Sequence, residues 1–140
     1  MRLAIVSSFV LVPLAAGCAG IVRSEEVGRA RTPAGLAVIV EIEGLAAERI
    51  HGVKASTAGE EPLLKRFEAF VFTDANGDGR FDPGETVHGR ALAQVGVPSS
   101  FLEVHSIAFP YAPHDAALAL AWSVDAGGEM LAGCWPLPKR

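Results

Sequence analysis

From Leu36 onward, proline, glycine and short Asn/Asp/Ser clusters divide the chain into apolar runs spaced roughly every 8 to 15 residues, a rhythm that favours a sandwich or barrel of short strands. With 15 glycines and 9 prolines among 140 residues, long helices have little uninterrupted sequence to occupy. Seven runs qualify as strands: Leu36–Glu43, Ile50–Ser56, Lys65–Thr73, Val87–Val95, Leu102–Phe109, Ala116–Val124 and Met130–Trp135. In the first, Val40 and Ile42 alternate with Glu41 and Glu43, the period-two pattern of a half-buried strand. Lys65–Thr73 carries Phe67, Phe70 and Phe72, aromatic residues that strands favour. Gly89 marks a bulge, and Pro98, Pro110, Pro113, Pro136 and Pro138 fall at boundaries, where strands tolerate them. The expectation is an all-β fold, a small antiparallel β-sandwich of about seven strands.

Three stretches pull toward helix. Leu45–Arg49 fits a single helical turn, Ser100-Phe101-Leu102-Glu103 has capping-box spacing, and Asp115–Ala121 is alanine-rich. The Asp125-Ala126-Gly127-Gly128 turn that follows the alanine run favours a hairpin and hence a strand there.

The overall balance is globular: half the residues are apolar and the formal charge is -4. The length suits one domain with a real core, and the acidic surplus argues against nucleic acid as a partner. The N-terminus reads differently from the rest. Met1-Arg2 gives a minimal positive start, Leu3–Leu14 is apolar but too short to span a bilayer, and Ala15-Ala16-Gly17 places small residues before Cys18. This resembles the lipobox of bacterial lipoproteins, with Ala15 where the pattern prefers Leu. The resemblance implies a signal peptide at 1–17, diacylglyceryl transfer to Cys18, cleavage before it, and a membrane reached through the lipid. Ala19 follows the cysteine where Asp would resemble an inner-membrane retention signal, so the expected address is the outer membrane, facing the periplasm or the exterior. Loss of residues 1–17, and Arg2 with them, leaves 123 residues and takes the charge from -4 to -5. Residues 18–35 are polar and poor in bulky apolars, the composition of a flexible tether, which leaves 36–140 as the folded domain. Cys134 is then a single thiol, expected as a small buried apolar residue. Without lipidation or cleavage, a Cys18–Cys134 bridge becomes the alternative in an oxidising compartment.

One motif carries chemistry. Asp74-Ala75-Asn76-Gly77-Asp78-Gly79-Arg80-Phe81-Asp82-Pro83-Gly84-Glu85 has oxygen-bearing side chains at positions 1, 3, 5, 9 and 12 of a twelve-residue loop. Calcium wants six to eight hard oxygens, and this spacing is that of the EF-hand loop. Asp74, Asn76 and Asp78 supply the first three ligands, and Gly79 permits the sharp turn. Arg80 offers its main-chain carbonyl, Asp82 binds directly or through water, and Glu85 closes the site with two oxygens. Phe81 occupies the apolar position that pins such a loop. Four of the chain's 16 acidic residues lie in these twelve positions, a crowding that costs repulsion without a cation. The loop resembles the DxNxDG calcium loops inserted between strands of bacterial extracellular β-sandwich modules. The alternative is a helical EF-hand protein that answers calcium by binding partners; Phe67, Phe70 and Phe72 before the loop, with Pro83, Gly84 and Gly89 toward its exit, favour strands.

Nothing in the sequence supports catalysis. His51, His88, His105 and His114 lack close metal-ligand spacing, and no nucleophile elbow, zinc-protease or phosphate-loop motif is present. Tyr111, Trp122 and Trp135 raise the option of a glycan platform against the commoner role of core residues. The expected protein is a non-catalytic, calcium-binding envelope lipoprotein whose further partner is an envelope protein or a glycan.

Overall fold

The computed structural model describes residues 24–59, 62–110 and 117–138. The signal segment and Cys18, together with Tyr111 and His114, lie outside the described residues. Among those described there are eight strands and no helix: β1 (Ser24–Arg31), β2 (Ala37–Leu45), β3 (Arg49–Thr57), β4 (Leu64–Thr73), β5 (Val87–Ser99), β6 (Phe101–Ala108), β7 (Leu118–Ala126) and β8 (Glu129–Pro136). They form two four-stranded sheets, β1-β2-β3-β6 and β5-β4-β7-β8, with every pairing antiparallel. The fold is a small β-sandwich.

Alternation builds the core. Val38, Val40 and Ile42 of β2 pack with Val53 and Ala55 of β3 and with Leu102 and Val104 of β6. From the other sheet come Phe67, Ala69 and Val71 of β4 with Leu120, Trp122 and Val124 of β7. Burying a side chain of this kind contributes about 1.5 to 3 kcal/mol, so these rows dominate folding. Near one end of the first sheet the inward row slips by one residue, from Val53 to Ile50 in β3 and from Val104 to Ile107 in β6. Gly44 (φ 70°) and Ser106 (φ 62°) absorb the slip, and the Arg49 guanidinium donates to the Ser106 hydroxyl.

Two expectations are corrected. Ser24–Arg31 is not tether but an edge strand that pairs with β2, from Ser24 opposite Glu43 to Arg31 opposite Ala37. Its outward residues are charged and only Val27 is fully buried, so the apolar signal is almost absent. The Leu45–Arg49 helical turn is instead a β-hairpin connection, closed by the Ala46 amide donating to the Arg49 carbonyl at 2.8 Å. Both remaining helical alternatives are strands: β6 covers the capping-box sequence from Phe101, and β7 the described part of the alanine run from Leu118.

Trp122 joins the sheets at their β1/β8 edge. A Cβ built on Gly28 would lie 2.5 Å from the indole and one on Gly133 2.6 Å, so both strands approach it through glycine. Gly133→Ala is therefore expected to cost about 1–3 kcal/mol through overpacking. The same change in a Trp122→Phe background should cost less; equal costs in chemical denaturation would show that the indole is not the obstacle.

Candidate functional site

The loop between β4 and β5 folds back over the outer face of its own sheet. Thr73 and Thr86 close its neck, the Thr73 amide donating to the Thr86 carbonyl at 2.9 Å. The Thr73 hydroxyl and the His88 ring nitrogen are 2.7 Å apart just outside it. The Asp74 amide donates to the Ala117 carbonyl at 2.8 Å and ties the first loop residue to the start of β7. Phe81 then drops onto the sheet, its ring centroid 5.1 Å from that of Phe70 and 5.2 Å from that of Phe72, both edge-on. Such aromatic pairs add about 0.5–1.5 kcal/mol beyond area burial. The apolar anchor expected at position 8 is thus present, but it grips a separate outer cluster of Phe72, Ala119 and Ala121, not the core between the sheets.

The six expected ligand residues come together in this one loop. Positive φ at Gly77 (69°), Gly79 (77°) and Gly84 (97°) supplies its sharp turns. Half of its eight carboxylate oxygens accept backbone amides, as does the Asn76 side-chain oxygen. Asp74 Oδ2 accepts from Gly79 N at 3.0 Å, Asn76 Oδ1 from Asp78 N at 3.2 Å, and Asp78 Oδ1 from Arg80 N at 2.9 Å. The two Glu85 oxygens accept from Ala75 N at 2.8 Å and Asp82 N at 2.7 Å, so position 12 reaches both ends of the loop. The Asn76 amide donates to Asp82 Oδ2 at 2.9 Å.

One buried oxygen of the loop has no partner. Asp74 is 9% exposed, and its Oδ1 is buried without a hydrogen bond. An unpaired buried carboxylate oxygen is costly, and a cation is one of the few partners that satisfies it. Elsewhere the loop shows charge strain. The Asn76 amide pulls the Asp82 carboxyl down, yet a hydrogen bond with Asp78, desolvation and the charges of Asp78 and Glu85 outweigh it and hold Asp82 above its ordinary value. Asp78 moves the other way, held low first by the Arg80 amide and then by Asp82. Neighbouring carboxylates of like charge make each other costlier to ionise, a cost that a cation offsets. The side chains are not drawn into a finished cage: among the described residues, no group of three or more His, Cys, Asp or Glu side chains is placed to hold a metal ion.

Beside the loop a cavity of about 380 Å³ opens over β7 and β8, with Phe70, Arg80, Phe81, Ala121 and Cys134 among its lining. Cys134, expected to be buried, is half-buried on this outer face, where desolvation raises its thiol pKa. Trp122 is in the core and Trp135 packs against it, so neither stands as an exposed platform. No protein-family model, curated protein or solved structure matches the chain.

The sequence could not show that Asp74 is buried with an orphan oxygen, because that depends on where β7 begins. The Asp82 shift has a direct check. In protein stripped of divalent ions, Asp78→Asn should lower the Asp82 pKa, read by carboxyl carbon NMR. Because a raised folded pKa favours the fold only at low pH, this group's contribution is lost as pH rises through that value. An unmoved Asp82 titration would remove Asp78 as the cause.

Proposed function

We propose that this chain is a calcium-binding envelope lipoprotein, a non-catalytic module whose sandwich is stabilised by Ca²⁺ and held to a membrane, the outer membrane by preference, through lipid on Cys18. The observation that carries the calcium reading is the buried, unpartnered Asp74 Oδ1 at position 1 of a loop with EF-hand spacing. Asp74, Asn76, Asp78, the Arg80 carbonyl, Asp82 and Glu85 would hold the ion. The ion would supply the positive charge that reconciles Asp78 with Asp82 and gives Asp74 its missing partner.

Strands on both sides of the loop favour a structural ion over a helical EF-hand switch. Among the described histidines, His88 is engaged with Thr73, and His105 lies 3.8 Å from Glu103 at the surface.

At free calcium of about 10 to 100 times Kd, binding would add roughly 1.4 to 2.7 kcal/mol, so chelation should lower the melting temperature of calcium-loaded protein. Glu85 has both oxygens committed across the loop, whereas Asp82 is engaged through one, so Glu85→Gln should weaken calcium more than Asp82→Asn. Isothermal titration of the two variants tests the assignment: a larger loss for Asp82→Asn, or a melting curve indifferent to chelation, would refute it.

The anchor has its own test. Cys18→Ser should abolish metabolic labelling with palmitate and release the protein from the membrane fraction; persistent labelling would overturn the lipid assignment.

A further inference from the structure

The floor and the wall of the cavity over β7 and β8 have different origins. Trp122 and Val124 point into the core, and Leu131 and Trp135 pack against it, so by alternation Ala121 and Ser123 of β7 and Ala132 and Cys134 of β8 face outward. They lie side by side, Ala121 opposite Cys134 and Ser123 opposite Ala132. All four are small, and all four line the cavity of about 380 Å³. The wall is Phe70, opposite Ala121 on the neighbouring strand β4, together with Gly79–Phe81 of the acidic loop. The Phe81 amide donates to the Cys134 sulfur and joins wall to floor.

The recess therefore comes from a contrast in side-chain size, bulky rings standing at one side of a floor of alanine, serine and cysteine. Its volume falls in the range of small-molecule sites, and like them it is largely apolar with a few polar groups. Two such groups are free to orient a guest: among the described residues, neither the Arg80 guanidinium nor the Ser123 hydroxyl makes a hydrogen bond or an ion pair.

Shape and charge narrow the guest. Paired strands lie about 5 Å apart and outward residues about 7 Å apart along each, so the four floor residues outline a flat rectangle on which a planar ring system fits. Phe70 and Phe81 stand at 80° to each other with centroids 5.1 Å apart. A planar guest parallel to one ring is nearly perpendicular to the other, which makes both favoured aromatic geometries, offset-stacked and edge-on, available to it. Arg80 is the only charged residue in the described lining. Asp78 in its own loop already feels that charge, and the charges of Asp74, Asp78 and Glu85 reach the Cys134 thiol, so an anion gains little here. A cation meets Arg80 in the wall, and its place on the Phe70 ring is taken by Arg90, 4.7 Å from the centroid and paired with Glu68.

We propose that this cavity binds a small, uncharged, planar aromatic molecule, which lies on Ala121, Ser123, Ala132 and Cys134 against Phe70 and Phe81 and turns a hydrogen-bond acceptor toward the Arg80 guanidinium. The site is independent of the proposed anchor and ion, because its wall and floor are formed by side chains present without either.

The test uses the full-length chain carrying Cys18→Ser, which leaves Cys134 as the single thiol, with naphthol as the probe. Titration followed by amide NMR should give saturable shifts centred on Ala121, Ser123, Ala132 and Cys134, and saturating naphthol should slow alkylation of Cys134 by iodoacetamide at least tenfold. Ala132→Leu, which raises the floor at an exposed position, should weaken binding at least tenfold. Val97→Ser, at the exposed bulge of β5, should leave it unchanged. Naphthoate, naphthylmethylammonium and the non-planar decalol should each bind more weakly than naphthol. The proposal is overturned by any of four results: no saturable binding, shifts centred on Val97 or elsewhere, undiminished affinity in an Ala132→Leu variant of unchanged melting temperature, or an analogue that binds as well as naphthol.

Discussion

The contact between Phe81 and the Phe70–Phe72 pair holds the acidic loop against its own sheet. β4 and β7 are central strands whose inward faces meet the other sheet, and by alternation alone their outward faces would be wet. Phe70 and Phe72 on β4 and Ala119 and Ala121 on β7 are instead apolar, and the loop that leaves β4 returns to cover them. One aromatic side chain thus hides an outward apolar patch and fixes a chain of acidic residues over it. Ala119 and Ala121 are buried there, and Ala121 shares with Phe81 the lining of the cavity over β7. The described part of the alanine-rich run that looks helical in isolation is, from Leu118, a strand.

The parts of this design differ in how far they can be read from sequence. The core strands are legible because Val38, Val40 and Ile42, or Phe67, Ala69 and Val71, repeat at the period of the pleat. The loop is legible as a turn because Gly77, Gly79 and Gly84, which bend it at positive φ, lie within one twelve-residue run. β1 is not, since Ser24–Arg31 buries fully only Val27 and resembles a polar linker; what makes it a strand is its pairing with β2 and the fit of Gly28 against Trp122, contacts made far away in sequence. The end of β5 was underestimated for a related reason. Pro98 ends an ordinary strand, but here the chain loops out between Gln94 and Ser99 and pairs again beyond it.

Recruiting β1 into the sheet has a mechanical consequence. A tether running to Gly35 would let the domain turn freely above a bilayer, over a typical distance on the order of 20 Å for a flexible run of about fifteen residues. With pairing from Ser24, the described part of that run belongs to the sheet, so under the proposed anchor it would move with the domain. The pairing of Ser24 with Glu43 thus makes the segment part of the fold.

The neck of the loop limits what a bound cation can do. In a helix-flanked site, closing the ligands around the ion swings the exit helix and exposes a surface. Here the exit is β5, paired with β4, and Thr73 and Thr86 hydrogen-bond across the base of the loop. Any large movement of Glu85 relative to Asp74 would have to break that bond and unzip the edge of a sheet. The free energy of cation binding would therefore go into the loop itself: relief of the repulsion between Asp78 and Asp82 and a partner for Asp74 Oδ1. An ion in such a frame stabilises a surface and changes its charge without changing the fold beneath it.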